Sequence, residues 1–180
     1  MKVSFLLIFS IGVILYTDAV QYRRNPCYAV RSLTSDDITR VRDTWGRINL
    51  KPVDLGLNII IRFYEDYPQL KQCFDRFRDI PNDRLKYNKN FRDLALRYYN
   101  GYDNMVRALE DTSSVENYFV DLGRYYAQQG ASKDSIVDLR QSFFKTMQAL
   151  LGNNFSTADY QSWNKVYDII LCYMFEGYPN

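Results

Sequence analysis

From Thr34 onward apolar residues recur three and four positions apart, and no stretch alternates with a period of two, so the pattern predicts helix after helix and no strand. The first predicted helix opens at Thr34, where Asp37 three residues on resembles a capping box, and it sets Ile38, Val41, Trp45 and Ile48 on one face. The second runs from Pro52 to about Tyr67 and buries Leu55, Ile59, Ile60 and Phe63. Pro68 then forces a break, and a short turn follows through Phe74 and Phe77. A polar loop is expected around Pro81-Asn-Asp83, then a long helix from about Leu85 to Glu110 and a shorter one from about Ser114 to Gln128. Ser132 caps a helix that continues to Leu151, and the last begins near Thr157 and ends before Gly177. Six substantial helices with short connections predict one all-α domain over residues 33–178.

The chain of 180 residues, 47% hydrophobic and 24% charged, has enough length for a real core. Ahead of the periodic region, Lys2 precedes a largely apolar stretch from Phe5 to Tyr16, and Thr17-Asp-Ala19 places small residues where a signal peptidase cuts. Residues 1–19 are therefore expected to be a signal peptide and 20–32 an N-terminal extension. The stretch falls short of the about 20 apolar residues that a membrane span needs. A secreted, extracellular protein without a membrane role is the expectation. A formal net charge of +2, with no basic run, excludes a nucleic-acid footprint.

Secretion changes how Cys27, Cys73 and Cys172 are read, because an oxidising compartment lets two of three pair. Cys73 sits in an apolar turn and reads as a buried thiol rather than a nucleophile. Asn154-Phe-Ser156 is the single N-glycosylation sequon, in a Gly/Asn loop.

The count that excludes most chemistry is histidine, which is zero. Ser-His-Asp and Cys-His arrangements, His-ligated metals and the usual proton switch near neutral pH all leave with it. No catalytic residues are assigned, and no enzymatic activity is expected.

Read in order, Trp45, Phe63-Tyr-Glu-Asp-Tyr-Pro68, Cys73-Phe-Asp-Arg-Phe77, Asn100-Gly-Tyr-Asp103, Leu122-Gly-Arg124 and Trp163 resemble a globin over residues 33–178. The pattern is similar to annelid-type extracellular globins and to the neuroglobin and cytoglobin branch. The resemblance implies a single-domain globin fold of six major helices plus short connecting ones. It also implies a haem site between the helix from Leu85 and the helix from Ser114, with Phe74 against the macrocycle and Leu122 beside it. The distal histidine position then falls on Leu94, the small apolar position one turn later on Tyr98, and the proximal iron-ligand position on Tyr126. By the same resemblance Cys27 and Cys172 would form a disulfide between the chain ends, worth roughly 2–4 kcal/mol.

Reversible oxygen binding requires ferrous haem held by one neutral nitrogen, with a donor near the bound ligand, and Leu94 and Tyr126 supply neither. Two readings stay open. In the first no cofactor is bound, and Leu94, Tyr98 and Tyr126 fill the former haem space with Tyr125, Phe119, Tyr99 and Met105. The protein then acts as a structural, matrix or assembly component, as a homo- or hetero-oligomer, or by holding an apolar ligand. In the second, Tyr126 is a ferric haem ligand, with Arg97 or Arg124 near propionates or a phenolate, and the role is haem transport or weak peroxidase chemistry. Met105, Met147 and Met174 are thioether candidates that more often serve as core. Oxygen transport as in the family would need a non-histidine ligand to ferrous haem.

Overall fold

The computed structural model describes residues 33–48 and 50–179, and the expected signal peptide, the extension and Cys27 lie outside them. Among the described residues eight α-helices follow in order: α1 (Ser35–Gly46), α2 (Pro52–Asp66), α3 (Pro68–Lys71), α4 (Asn82–Leu85), α5 (Lys89–Arg107), α6 (Ser113–Gln128), α7 (Lys133–Leu151) and α8 (Thr157–Glu176). A 3₁₀ turn, Gly152–Asn154, joins the last two, and no strand occurs among the described residues. Six of the helices have 12 to 20 residues, so the all-α reading and its six major elements stand.

The boundaries follow local chemistry. At α1 the Thr34 hydroxyl accepts from the Asp37 amide while Asp37 accepts from the Thr34 amide, completing the capping box expected there. A second box, Ser156 with Asp159, opens α8. Pro68 breaks the chain as expected, yet it also starts a helical turn, since a proline at the first helical position loses no bond. The expected long helix from Leu85 to Glu110 is divided. Asn82–Leu85 forms a separate turn in place of the polar loop, and Asn88, in extended conformation, caps α5 by accepting from the Phe91 amide at 3.0 Å. An asparagine that satisfies an orphan amide gives the backbone a reason to restart there.

Two glycines set how closely the layers approach. A Cβ on Gly56 of α2 would lie 2.0 Å from the Ala95 carbonyl oxygen of α5, and one on Gly123 of α6 would lie 1.9 Å from that of Met174 in α8. Both helix pairs therefore cross with backbone against backbone. Between them an aromatic core of Trp45, Tyr102, Phe143, Trp163 and Tyr167 stacks with ring centroids 5.0–6.4 Å apart. Its polar atoms are paired, as buried indole groups require: Trp163 donates to the Thr44 hydroxyl at 2.7 Å and Trp45 to Asp103 at 3.0 Å. Asp37 ties α1 to α8 by accepting from Ser162 at 2.9 Å and Lys165 at 2.7 Å. Burial works to raise its pKa, but the hydrogen bonds from Lys165, Thr34 and Ser162 prevail and hold it well below the usual carboxylate range.

Because the atoms facing Gly123 are backbone, they cannot swing aside. Gly123→Ala is expected to cost about 1–3 kcal/mol and to lower the melting temperature by about 2–4 °C per kcal/mol. Gly46→Ala, which meets nothing within 4 Å, should cost nothing. Thermal denaturation of both variants checks the contrast.

Candidate functional site

A cavity of about 460 Å³ opens between α5 and α6. Ile60, Phe63 and Tyr64 of α2, Phe74 and Arg76 of the segment after α3, and Leu139 of α7 build one part of its wall. Leu94, Arg97 and Tyr98 come from α5, and Tyr118, Asp121, Leu122, Tyr125 and Tyr126 from α6. Helical geometry gathers the α6 group, because positions three, four and seven apart share a face. Opposite that face Gly123 seats the helix on α8, leaving the tyrosine stripe turned to the cavity. Gly101 shapes the rim, since a Cβ there would lie 2.5 Å from the Tyr118 ring. Tyr118 thus reaches over α5 and donates to the Arg97 carbonyl at 3.0 Å.

All six residues expected around the macrocycle, Phe74, Leu94, Arg97, Tyr98, Leu122 and Tyr126, line this one cavity. The expected filling of the space is corrected. Leu94, Tyr98, Tyr125 and Tyr126 stand in the wall, but the cavity stays open because the other supposed fillers point elsewhere. Tyr99 stacks on Trp45 at 5.5 Å, and Phe119 and Met105 are sealed in the core. Met147 and Met174 are core residues too, and Arg124, which is not in the cavity wall, pairs with Asp121 at its rim. Tyr64, Arg76, Tyr118, Asp121 and Leu139 are wall residues that the sequence did not point to. Tyr118 was available from its helical spacing to Leu122 and Tyr125, whereas Tyr64, Arg76 and Leu139 arrive only through tertiary packing.

The wall's tyrosines divide into two kinds. Tyr98 shares a hydrogen bond of 2.9 Å with Tyr102, which in turn bonds Tyr167 on α8, and all three are buried. Burial first, and then the neighbouring phenols, push their pKa values well above the ordinary range. Tyr98 therefore presents its ring to the cavity while its hydroxyl is committed to the core. Tyr64 and Tyr126 differ, because neither hydroxyl has a hydrogen-bond partner among the described residues. Their rings pack on Phe74, with centroids at 6.0 and 5.6 Å, and burial raises both phenols. At neutral pH they are uncharged donors.

The globin family profile matches residues 57–174. The chain belongs to the globin family. Cytoglobin-2 of Danio rerio is 31% identical over 88 residues, which are 48% of this chain and 49% of that protein, so the match spans about half the relative's length. Among solved structures, a Drosophila melanogaster globin superposes with a TM-score of 0.73 at 22% identity, covering 82% of this chain and all of the other. A protein described as a hexacoordinated haem protein from an anhydrobiotic tardigrade superposes at 0.72, with 16% identity, over 81% of this chain and 95% of that one. The last two likenesses concern fold.

In this globin the cavity's place and apolar walls suit a flat macrocycle, which makes haem a candidate occupant. The donors do not fit its iron. The chain contains no histidine, Leu94 carries no donor, and the Tyr98 hydroxyl is turned to Tyr102. Tyr126 remains, as a phenol that burial favours in the protonated form. No group of three metal-binding side chains occurs elsewhere among the described residues.

Outside the cavity, Cys73 is a free thiol, half-buried rather than fully buried as expected. Cys172 on α8 is not a free thiol, and Cys27 lies outside the described residues. Asn154 is exposed in the 3₁₀ turn, where its carbonyl accepts from Arg47 at 2.9 Å. No described helix is long and apolar enough to cross a membrane.

Tyr102→Phe removes the phenol that bonds both Tyr98 and Tyr167, and a loss of about 1–3 kcal/mol is expected in denaturant unfolding. With folded-state pKa values raised, the three phenols leave stability intact below the ordinary tyrosine pKa of about 10 and erode it as pH rises above that value. Phenolate absorbance followed against pH should show them ionising only as the fold opens.

Proposed function

We propose that this globin is a secreted protein that does not carry oxygen in the conventional way, and that its cavity serves a ligand other than iron-ligated haem. The observation that carries the reading is the pairing of Leu94 and Tyr126 across an open apolar cavity, in a chain without histidine. Oxygen carriage depends on a neutral nitrogen that holds ferrous iron, and nothing in the wall provides one. Function then lies in the cavity itself or in the surface, as a structural, matrix or assembly component, and no enzymatic activity is proposed. Supporting export are the apolar stretch from Phe5 to Tyr16 and the small residues that follow it.

One observation favours a second reading. The unpartnered Tyr126 hydroxyl faces the space where a haem would lie, and an anionic tyrosine oxygen is a known ferric ligand. Bound haem would supply ferric redox chemistry there. Arg97 at the cavity wall would face a propionate, and Leu94 would keep the opposite side apolar.

Titration of the purified protein with haemin, followed by absorption, separates the two. The first reading predicts no stoichiometric shifted Soret band. A one-to-one band that Tyr126→Phe abolishes would establish the second.

The extracellular reading also pairs Cys27 with Cys172, the two cysteines other than the free Cys73. Non-reducing peptide mapping is expected to recover them as one linked fragment, and recovery of both as thiols would remove the pairing.

A further inference from the structure

We propose that the cavity between α5 and α6 binds an oxygenated long-chain carboxylate, with its acid group at the mouth and its chain inside. This rests on the reading above that iron-ligated haem is not the occupant. The size is suitable, since about 460 Å³ falls within the range of about 300–1,000 Å³ typical of small-molecule sites. Ile60, Phe63, Leu94, Leu122 and Leu139 give the interior an apolar surface from four helices.

The mouth supplies the charge preference. Arg76 and Arg97 are exposed side chains from separate segments, they border both the main cavity and a smaller pocket beside it, and neither has an ion pair among the described residues. Asp121 at this rim and Asp75 in the adjoining pocket are already paired, with Arg124 and Arg78. Two unpaired guanidiniums over an apolar hole favour a carboxylate that stays at the water boundary, because burying the charge would cost far more.

The interior supplies the demand for a second oxygen. Tyr64 is only 2% exposed and its hydroxyl has no protein partner, and Tyr126 beside Phe74 is likewise unpartnered. A plain hydrocarbon chain would leave both donors unsatisfied, whereas an oxygen along the chain accepts from one of them. Tyr98 makes no such demand, since Tyr102 already holds its hydroxyl.

Calorimetric titration of the purified protein with oleate and with ricinoleate, which differs from oleate by one mid-chain hydroxyl, tests the proposal. Both acids are expected to bind one to one, with ricinoleate about five-fold tighter. Tyr64→Phe with Tyr126→Phe should remove ricinoleate's advantage and tighten oleate, whose chain then strands no hydroxyl. Arg76→Gln and Arg97→Gln should each weaken both acids about five-fold, while Arg84→Gln, which removes the same charge outside the cavity wall, should weaken neither. Leu122→Trp, narrowing the cavity, should abolish binding.

Absence of binding, equal affinity for the two acids, or equal effects of Arg84→Gln and the mouth variants would each overturn the proposal. Failure of acid binding with the haemin titration still negative overturns this inference alone. A Tyr126-dependent haem band with acid binding intact overturns the earlier reading alone.

Discussion

The hydrogen-bonded chain from Tyr98 through Tyr102 to Tyr167 governs what the cavity can do. It lies at the meeting of α5 and α8, inside the stack formed with Trp45, Phe143 and Trp163. A buried hydroxyl costs stability unless it is paired, so these phenols have one satisfactory arrangement. That arrangement turns the Tyr98 oxygen into the core and gives the cavity the side of its ring. The distal wall is consequently apolar although a tyrosine stands in it.

The same requirement explains why the cavity persists. Substituting bulky residues for small ones does not by itself close a space, because side chains follow the partners of their polar atoms. Tyr98 is held by Tyr102, Tyr118 by the Arg97 carbonyl, and the Tyr126 ring by its edge-on contact with Phe74. Each of these restraints fixes a ring along the wall instead of across the opening. On the far side the backbone contacts at Gly56 and Gly123 fix the helices themselves, so the walls cannot collapse inward. The result is an open cavity whose wall carries Leu94 and the neutral phenol of Tyr126, in a chain without histidine.

Much of this was legible in the sequence, for identifiable reasons. Capping at Thr34 and Ser132, the proline breaks and the helical spacing are local, so the six major helices could be read directly. Phe74, Leu94, Tyr98, Leu122 and Tyr126 could be placed because the order of motifs resembles a globin over most of the chain. The division at Asn88 escaped, since a single capping residue there competed with a long apolar periodicity on both sides. Hydroxyl orientation escaped for a different reason: Tyr98, Tyr102 and Tyr167 form their chain between α5 and α8, and no spacing in one helix reveals it. Tyr64, Arg76 and Leu139 entered the wall through tertiary packing in the same way.

We propose that this globin keeps an open cavity at the position expected for haem without holding iron there. Native mass spectrometry of the protein, purified without added ligand, tests that claim most directly. The account predicts chain with or without a bound organic acid and no iron porphyrin. A stoichiometric iron porphyrin that survives transfer would contradict it.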